Sequence, residues 1–244
     1  MKENKYDDKR FFEQYSGMHR SQKGLAGAGE WHALKAMLPS FSGKKVLDLG
    51  CGFGWHCRYA MEQGAIAVTG VDISAKMLAR AKELNAMPGI TYIQQPIEDI
   101  DFPENSFDIV LSSLTFHYIA SFEDICKKVA HCLAANGHFI FSVEHPIFTA
   151  AGKQDWCYDA DGNILHWPVD QYFHEGKRQT QFLGEQVTKY HHTLTTYLNG
   201  LLHQGFTITQ IVEPTPDPAM LREFEGMKNE FRRPMMLLVS ACRK

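Results

Sequence analysis

Short apolar runs alternate with helical stripes along most of the chain, separated by glycines and prolines. Residues 1–23 are polar apart from an aromatic stripe, Phe11, Phe12 and Tyr15, which predicts a short amphipathic helix. Residues 31–38 predict another helix, ended by Pro39. Residues 45–49 are an apolar run with one acid inside it, Asp48. Gly50, Gly52 and Gly54 follow at every second position, then helix-compatible residues 55–63 with Gly64 as the stop. A second strand is expected over residues 65–72, and Ser74 caps a helix whose apolar positions Met77, Leu78, Ala81 and Leu84 carry it to a stop at residues 85–89. Residues 90–94 and 107–113 predict two more strands, 122–133 a helix with Asn136-Gly137 as its stop, and 138–143 a fifth strand. The alternation breaks over residues 147–192, with a strand-like stretch at 179–190. It resumes with a helix at 192–204 and strands at 206–212 and 235–242. Strand and helix taking turns in this way predicts an α/β fold built on an open, parallel sheet.

The strand, glycine turn and helix at residues 45–63 carry the first chemical information. Glycine has no Cβ, so backbone N–H groups can approach a ligand closely, and the helix N-terminus adds a positive end, an arrangement suited to a nucleotide-like ligand. Asp72, closing the second strand, suits a ribose diol, whose two hydroxyls can donate to one carboxylate. A dinucleotide fingerprint would need a third small residue where this chain has Trp55, and an indole cannot play that part. What remains, Asp48-x-Gly50-x-Gly52-x-Gly54 with Asp72 downstream, resembles the cofactor motif of the class I S-adenosylmethionine-dependent methyltransferases, over a stretch that runs to about residue 141.

The resemblance implies a Rossmann-like, doubly wound sheet of seven strands, mostly parallel, with an antiparallel strand in the terminal hairpin. It implies one methyltransferase domain over residues 1–244, with an N-terminal arm (1–30) over the cofactor and an aromatic-rich cap inserted at 145–192. Gly50, Cys51 and Gly52 would lie along the methionine part of S-adenosylmethionine, with Asp48 supporting the turn or the cofactor's amino group. Asp72 and the adjoining Ile73 would meet the ribose, Met77 would lie against the adenosine, and Ser113, ending the fourth strand, would touch the methionine moiety. Relatives often fold such an arm over the cofactor, so Tyr15 and Arg20 are expected to hold its carboxylate or to shape the acceptor pocket. Pro96 stands where the family commonly has an acid for the adenine amino group, so adenine is expected to be read by the backbone at Ile97 and Glu98 or by the Glu98 side chain.

Composition narrows the partners. The chain of 244 residues carries a formal charge of −3, which offers no general attraction to a nucleic-acid backbone. The polar start has no signal-peptide core and no stretch reaches membrane-span length, so a cytoplasmic protein, monomer or homodimer, is expected. The six cysteines are scattered, with no Cys-x-x-Cys pair, and are expected to be reduced thiols. Twelve histidines raise the question of a metal, but the adjacent His191 and His192 would point different ways beside Glu144-His145, and no metal is expected.

Position along the sheet supplies the catalytic candidates. An open parallel sheet presents ligands at the carboxyl ends of its strands. His117 and Tyr118 follow the fourth strand there, and Glu144 and His145 follow the fifth, as possible bases for an acceptor that holds its proton. The aromatic insertion, with Trp156, Tyr158, Trp167, Tyr172, Phe173, Phe182 and Tyr190, is expected to wall off a small-molecule acceptor. The implied activity is in-line methyl transfer to an oxygen or nitrogen nucleophile. A non-catalytic S-adenosylmethionine-binding module and a nicotinamide-dependent oxidoreductase stand as the alternatives.

Overall fold

A computed structural model describes residues 4–244; residues 1–3 of the expected arm lie outside the described residues. The arm folds as α1 (Lys9–Ser16), α2 (His19–Lys23) and α3 (Trp31–Met37). Then come β1 (Lys45–Leu49), α4 (Trp55–Glu62), β2 (Ala67–Asp72), α5 (Ala75–Asn85), β3 (Ile90–Gln94), β4 (Phe107–Ser113), α6 (Phe122–Cys132) and β5 (Leu133–Glu144). The insertion holds α7 (Pro146–Thr149) and two hairpins, β6 (Cys157–Tyr158) with β7 (Ile164–His166) and β8 (Gly176–Phe182) with β9 (Glu185–His191). The chain ends with α8 (Leu194–His203), β10 (Phe206–Val212), α9 (Pro218–Glu223) and β11 (Met236–Arg243).

The main sheet has seven strands in the order β10-β11-β5-β4-β1-β2-β3. The five from β3 to β5 are parallel, and β11 runs antiparallel to both β5 and β10. This is the doubly wound, mostly parallel sheet with an antiparallel strand in its terminal hairpin. The middle one of the five parallel strands, β1, is buried on both faces from Val46 onward, which is why it reads as a continuous apolar run. Alternate residues feed two cores. Leu47, Val110, Phe139 and Phe141 pack with Phe122, Ile125 and Tyr197 on one face, while Val46, Ile109 and Ile140 pack with Leu34, Cys57 and Ala60 on the other.

Two boundaries differ from the sequence pattern. α6 stops at Cys132, and β5 begins at Leu133 rather than 138. Asn136, expected to end the helix, instead sits inside the strand at φ +60°, and the pairing with β4 shifts register beside it. The strand-like stretch at 179–190 is a hairpin turned by Leu183 (φ +51°) and Gly184 (φ +70°). Two left-handed residues are what a tight hairpin turn needs, but a leucine does not advertise one.

The arm is latched to the sheet. Asp7 accepts hydrogen bonds from Ser74 Oγ (2.6 Å) and from the backbone N–H of Lys76 (3.0 Å), so it shares with Ser74 the capping of α5. Phe11 is fully buried against Tyr6 and Phe182. Asp7→Ala should therefore lower stability by about 0.5–2 kcal/mol and expose Lys9 and Arg10 to trypsin. Denaturant melts with limited proteolysis check this, and an arm that stays resistant would show that the latch lies elsewhere.

Candidate active site

A cavity of about 790 Å³ opens at the carboxyl edge of the sheet, where the arm, the strand ends, the insertion and the link between β10 and β11 meet. Among the residues expected at a site, Tyr15, Arg20, Gly50, Gly52, Asp72, Ile73, Met77, Ile97, Glu98, Ser113, His117, Tyr118 and Glu144 all line it. Three do not. Cys51 lines a smaller adjoining pocket of about 60 Å³. Asp48 is buried under the turn, where its carboxylate accepts the Cys57 thiol (3.3 Å) and burial pushes its pKa up to about 7. His145 is taken up as the cap of α7: Nδ1 accepts the Ile147 N–H (3.1 Å) and Nε2 meets Glu213 at 2.9 Å. Its place next to Glu144 suggested a base; the proline after it starts a helical turn that uses the ring instead.

The glycine turn is built for close approach, but its N–H groups are spent inside the chain. Gly50 and Cys51 both donate to the Val71 carbonyl (2.8 and 3.0 Å), and Gly52 donates to the Asp72 carboxylate (2.9 Å). The expectation that these amides face the ligand is not met, because β2 and its terminal acid have claimed them. A pyrophosphate would find no such nest here and would meet a carboxylate instead. The spatial cradle remains. Gly50 has φ +73°, and a Cβ on it would lie 2.2 Å from Thr115 Oγ1; Leu114, left-handed at φ +52°, swings Thr115 into that space. The ring of Trp55 is seated against Gly24 of the arm, whose added Cβ would come within 3.0 Å of it. An indole fits the third slot because the arm, not the strand, supplies the small partner.

Asp72 is half-buried. Burial raises its pKa against hydrogen bonds from the N–H groups of Ser74 (2.9 Å) and Gly52. Each carboxylate oxygen keeps a lone pair for a hydroxyl, which fits a ribose. Pro96 leads into a helical turn at Ile97–Asp99 whose first N–H groups, on Ile97 and Glu98, have no backbone partner among the described residues. With the Glu98 side chain on the cavity wall, these are donors and an acceptor suited to a purine edge.

The acceptor side is organised by Glu144. Lys189 Nζ lies 2.5 Å from its Oε1, and Gln154 Nε2 donates to Oε2 at 2.6 Å. Burial alone would raise this carboxyl; its contacts with His117, Lys189 and Gln154 prevail and hold it below the usual range, so it is ionised. His117 is buried, its Nδ1 accepts the Glu144 N–H (3.4 Å), and burial lowers its pKa to about 4. It is therefore a neutral ring with its proton on Nε2, a donor rather than a base. The Tyr118 hydroxyl lies 3.2 Å from that of Tyr6, and burial pushes its pKa well above the usual range.

Sequence patterns missed several residues of this site. Lys189 is 3% exposed and shares the inward face of β9 with Val187 and His191, so a lysine in the buried phase of a strand was the available signal. Glu30, 2% exposed, accepts from Arg20 Nη2 (3.1 Å) and Ser113 Oγ (3.2 Å). The aromatic insertion is only partly a wall: Phe182 and Tyr190 line the cavity, while Trp156 and Trp167 pack around the Arg233 guanidinium and Phe173 is 88% exposed. Both nitrogens of His191 are engaged, with Thr149 and the Tyr172 carbonyl, and His192 bonds the Ile119 carbonyl. Among the described residues no group of three His, Cys, Asp or Glu could hold a metal ion, and no helix is long and apolar enough to cross a membrane.

Residues 47–141 match the family model of a methyltransferase domain. A crystal structure from Listeria monocytogenes, described as an S-adenosylmethionine-dependent methyltransferase, is 56% identical, with a TM-score of 0.82 over 88% of this chain and 98% of that one. Another from Mesorhizobium loti is 45% identical, with a TM-score of 0.83 over 90% of this chain and 100% of that one. An uncharacterised methyltransferase of Synechocystis is 41% identical over 69% of each chain.

His117 and His56 are both held near pKa 4 by burial. The unfolded chain, titrating near 6.5, binds more protons than the native one between pH 6.5 and 4, so their contribution is present above pH 6.5 and is lost as the pH falls through that window. Asp48, raised to about 7, acts in the opposite sense over the same range. His117→Gln should flatten the acid loss of stability by about 1.4 kcal/mol per pH unit. Urea melts from pH 4 to 7 measure the slope; an unchanged slope would mean that His117 titrates normally.

Proposed function

The chain belongs to the class I S-adenosylmethionine-dependent methyltransferases, and we propose that it methylates a small-molecule acceptor on an oxygen or nitrogen that arrives carrying its proton. S-adenosylmethionine is its cofactor and it is an enzyme, which sets aside both the nicotinamide-dependent and the purely binding alternatives. The acceptor reading rests on one observation: a single cavity joins the glycine turn and Asp72 to an ionised, doubly hydrogen-bonded Glu144.

Residues 4–30 serve in this reading as the arm over the cofactor and the insertion as a cap over the acceptor, within one domain. Asp72 takes the ribose hydroxyls, Met77 lies against the adenosine, and Ile97 and Glu98 read the adenine. When bound, S-adenosylmethionine supplies an activated methyl group on a sulfonium. The chain's own residues then align the acceptor and exclude water, and alignment of this kind can be worth about 7–11 kcal/mol. Glu144 accepts the acceptor's proton, Lys189 keeps Glu144 ionised, and the Nε2–H of His117 and the Tyr118 hydroxyl hold the acceptor in place.

Two measurements check this. Asp72→Ala should weaken S-adenosylhomocysteine binding by about 1.5–3 kcal/mol in calorimetry; an unchanged dissociation constant in a folded variant would remove Asp72 from the ribose. Supplied with methyl-labelled S-adenosylmethionine and a panel of phenols, primary amines and carboxylic acids, the protein should label a phenol or an amine. Glu144→Gln should slow that transfer by about 10²–10⁴-fold without changing S-adenosylhomocysteine affinity. Labelling of carboxylic acids alone, indifferent to Glu144→Gln, would contradict the acceptor reading.

A further inference from the structure

Methionines gather on one side of the large cavity. Besides Met77, five of the ten in the chain line it: Met18, Met220, Met227, Met235 and Met236. All five are half-buried. Met18 comes from the arm, Met220 and Met227 from the link between β10 and β11, and Met235 and Met236 from the entry into β11. Pro214 and Pro216 of the same link add apolar surface with no N–H to offer. Glu230, the link's charged side chain on the cavity, is held by the Arg233 guanidinium at 2.6 and 3.1 Å. This wall adjoins Glu144: Met236 stands directly opposite it in the antiparallel pairing of β11 with β5, so the two side chains share a sheet face.

A wall of thioethers takes apolar surface, adapts to its shape and gives little to a polar body. Beside Glu144 the polar groups are donors, the Nε2–H of the neutral His117 and the Tyr118 hydroxyl. An acceptor atom seated there gives its proton to Glu144 and accepts a hydrogen bond from these donors. A hydroxyl does both, whereas a protonated amine can only donate. We propose that the acceptor is a hydroxyl compound with an uncharged apolar body, its hydroxyl between Glu144 and His117 and its body against the methionine wall. The inference rests on the acceptor reading above and narrows it. In the transfer the hydroxyl oxygen bonds the methyl carbon, the carbon–sulfur bond breaks with its electron pair left on sulfur, and the hydroxyl proton passes to Glu144. The cavity of about 790 Å³, shared with the cofactor, has the size of a single small-molecule pocket. Within that limit the methionines refit, so affinity follows the apolar area buried rather than one outline.

Two ligand series test this, para-alkylphenols with chains from methyl to butyl and para-alkylbenzylamines with the same chains. Titrated into protein saturated with S-adenosylhomocysteine, the phenols should bind about three- to fourfold tighter with each added methylene. A phenol carrying a para-carboxylate should bind more weakly than para-methylphenol. Met227→Gln should flatten the gain along the series and Met227→Leu should keep it, both with S-adenosylhomocysteine affinity unchanged. Supplied with methyl-labelled S-adenosylmethionine, the protein should label the phenols in preference to the amines. A flat phenol series in the wild type, or preferential labelling of the amines, would overturn the inference and leave the acceptor reading standing. Labelling of carboxylic acids alone would overturn both.

Discussion

The Asp72 carboxylate ties the structure together. One oxygen takes the Gly52 N–H and the other takes the Ser74 N–H, so a single side chain at the end of β2 holds the glycine turn on one side and the start of α5 on the other. Ser74 passes the link on, its hydroxyl reaching Asp7 of the arm while its own oxygen caps α5. Turn, helix and arm therefore depend on the same few atoms. The arrangement also selects a chemistry: with Gly50, Cys51 and Gly52 committed to β2, the turn offers a ligand room, carbonyls and a carboxylate rather than a nest of amides. That suits a ribose and a sulfonium and disfavours phosphate.

Charge in the cavity is distributed to the same end. Glu144 is ionised because its contacts with His117, Lys189 and Gln154 outweigh its burial, while His117, at the end of the neighbouring strand and in contact in space, is neutral because burial outweighs the pull of the Glu144 carboxylate. Two titratable groups pushed apart in this way take different tasks, one accepting a proton and the other donating a hydrogen bond. Lys189 comes from the insertion and Glu144 from the sheet, so their pairing is also what registers the cap against the strand ends.

Where a feature is local, the chain states it plainly. The strand-turn-helix at Lys45–Glu62, the cap at Ser74 and the acid at Asp72 each follow from a few consecutive residues, and all stand where the pattern puts them. The seven-stranded, mostly parallel sheet with an antiparallel strand in its terminal hairpin followed as well, once the glycine motif had named the fold. Less legible were the contacts that join distant segments. Nothing near Glu30 announces Ser113, nothing near Glu144 announces Lys189, and the role of His145 is decided by Glu213 and by a proline-started helical turn. The aromatic residues of the insertion were read as a wall from composition, yet Trp156 and Trp167 are absorbed by Arg233, a residue near the other end of the chain. Turn chemistry failed at Leu183, where an unlikely residue was forced into a left-handed turn, and at Asn136, whose left-handed backbone marks a register shift inside β5 rather than a helix stop.

The most direct test of the account is competition at the glycine turn between two nucleotides that differ in what they ask of it. Calorimetric titration with S-adenosylhomocysteine and with NAD should give micromolar binding of the first and silence from the second, because the Gly50, Cys51 and Gly52 N–H groups that a pyrophosphate would need are bonded to the Val71 carbonyl and the Asp72 carboxylate. Binding of NAD, displaced by S-adenosylhomocysteine or not, would contradict the claim that Asp72 has converted this turn from a phosphate site into a ribose and sulfonium site.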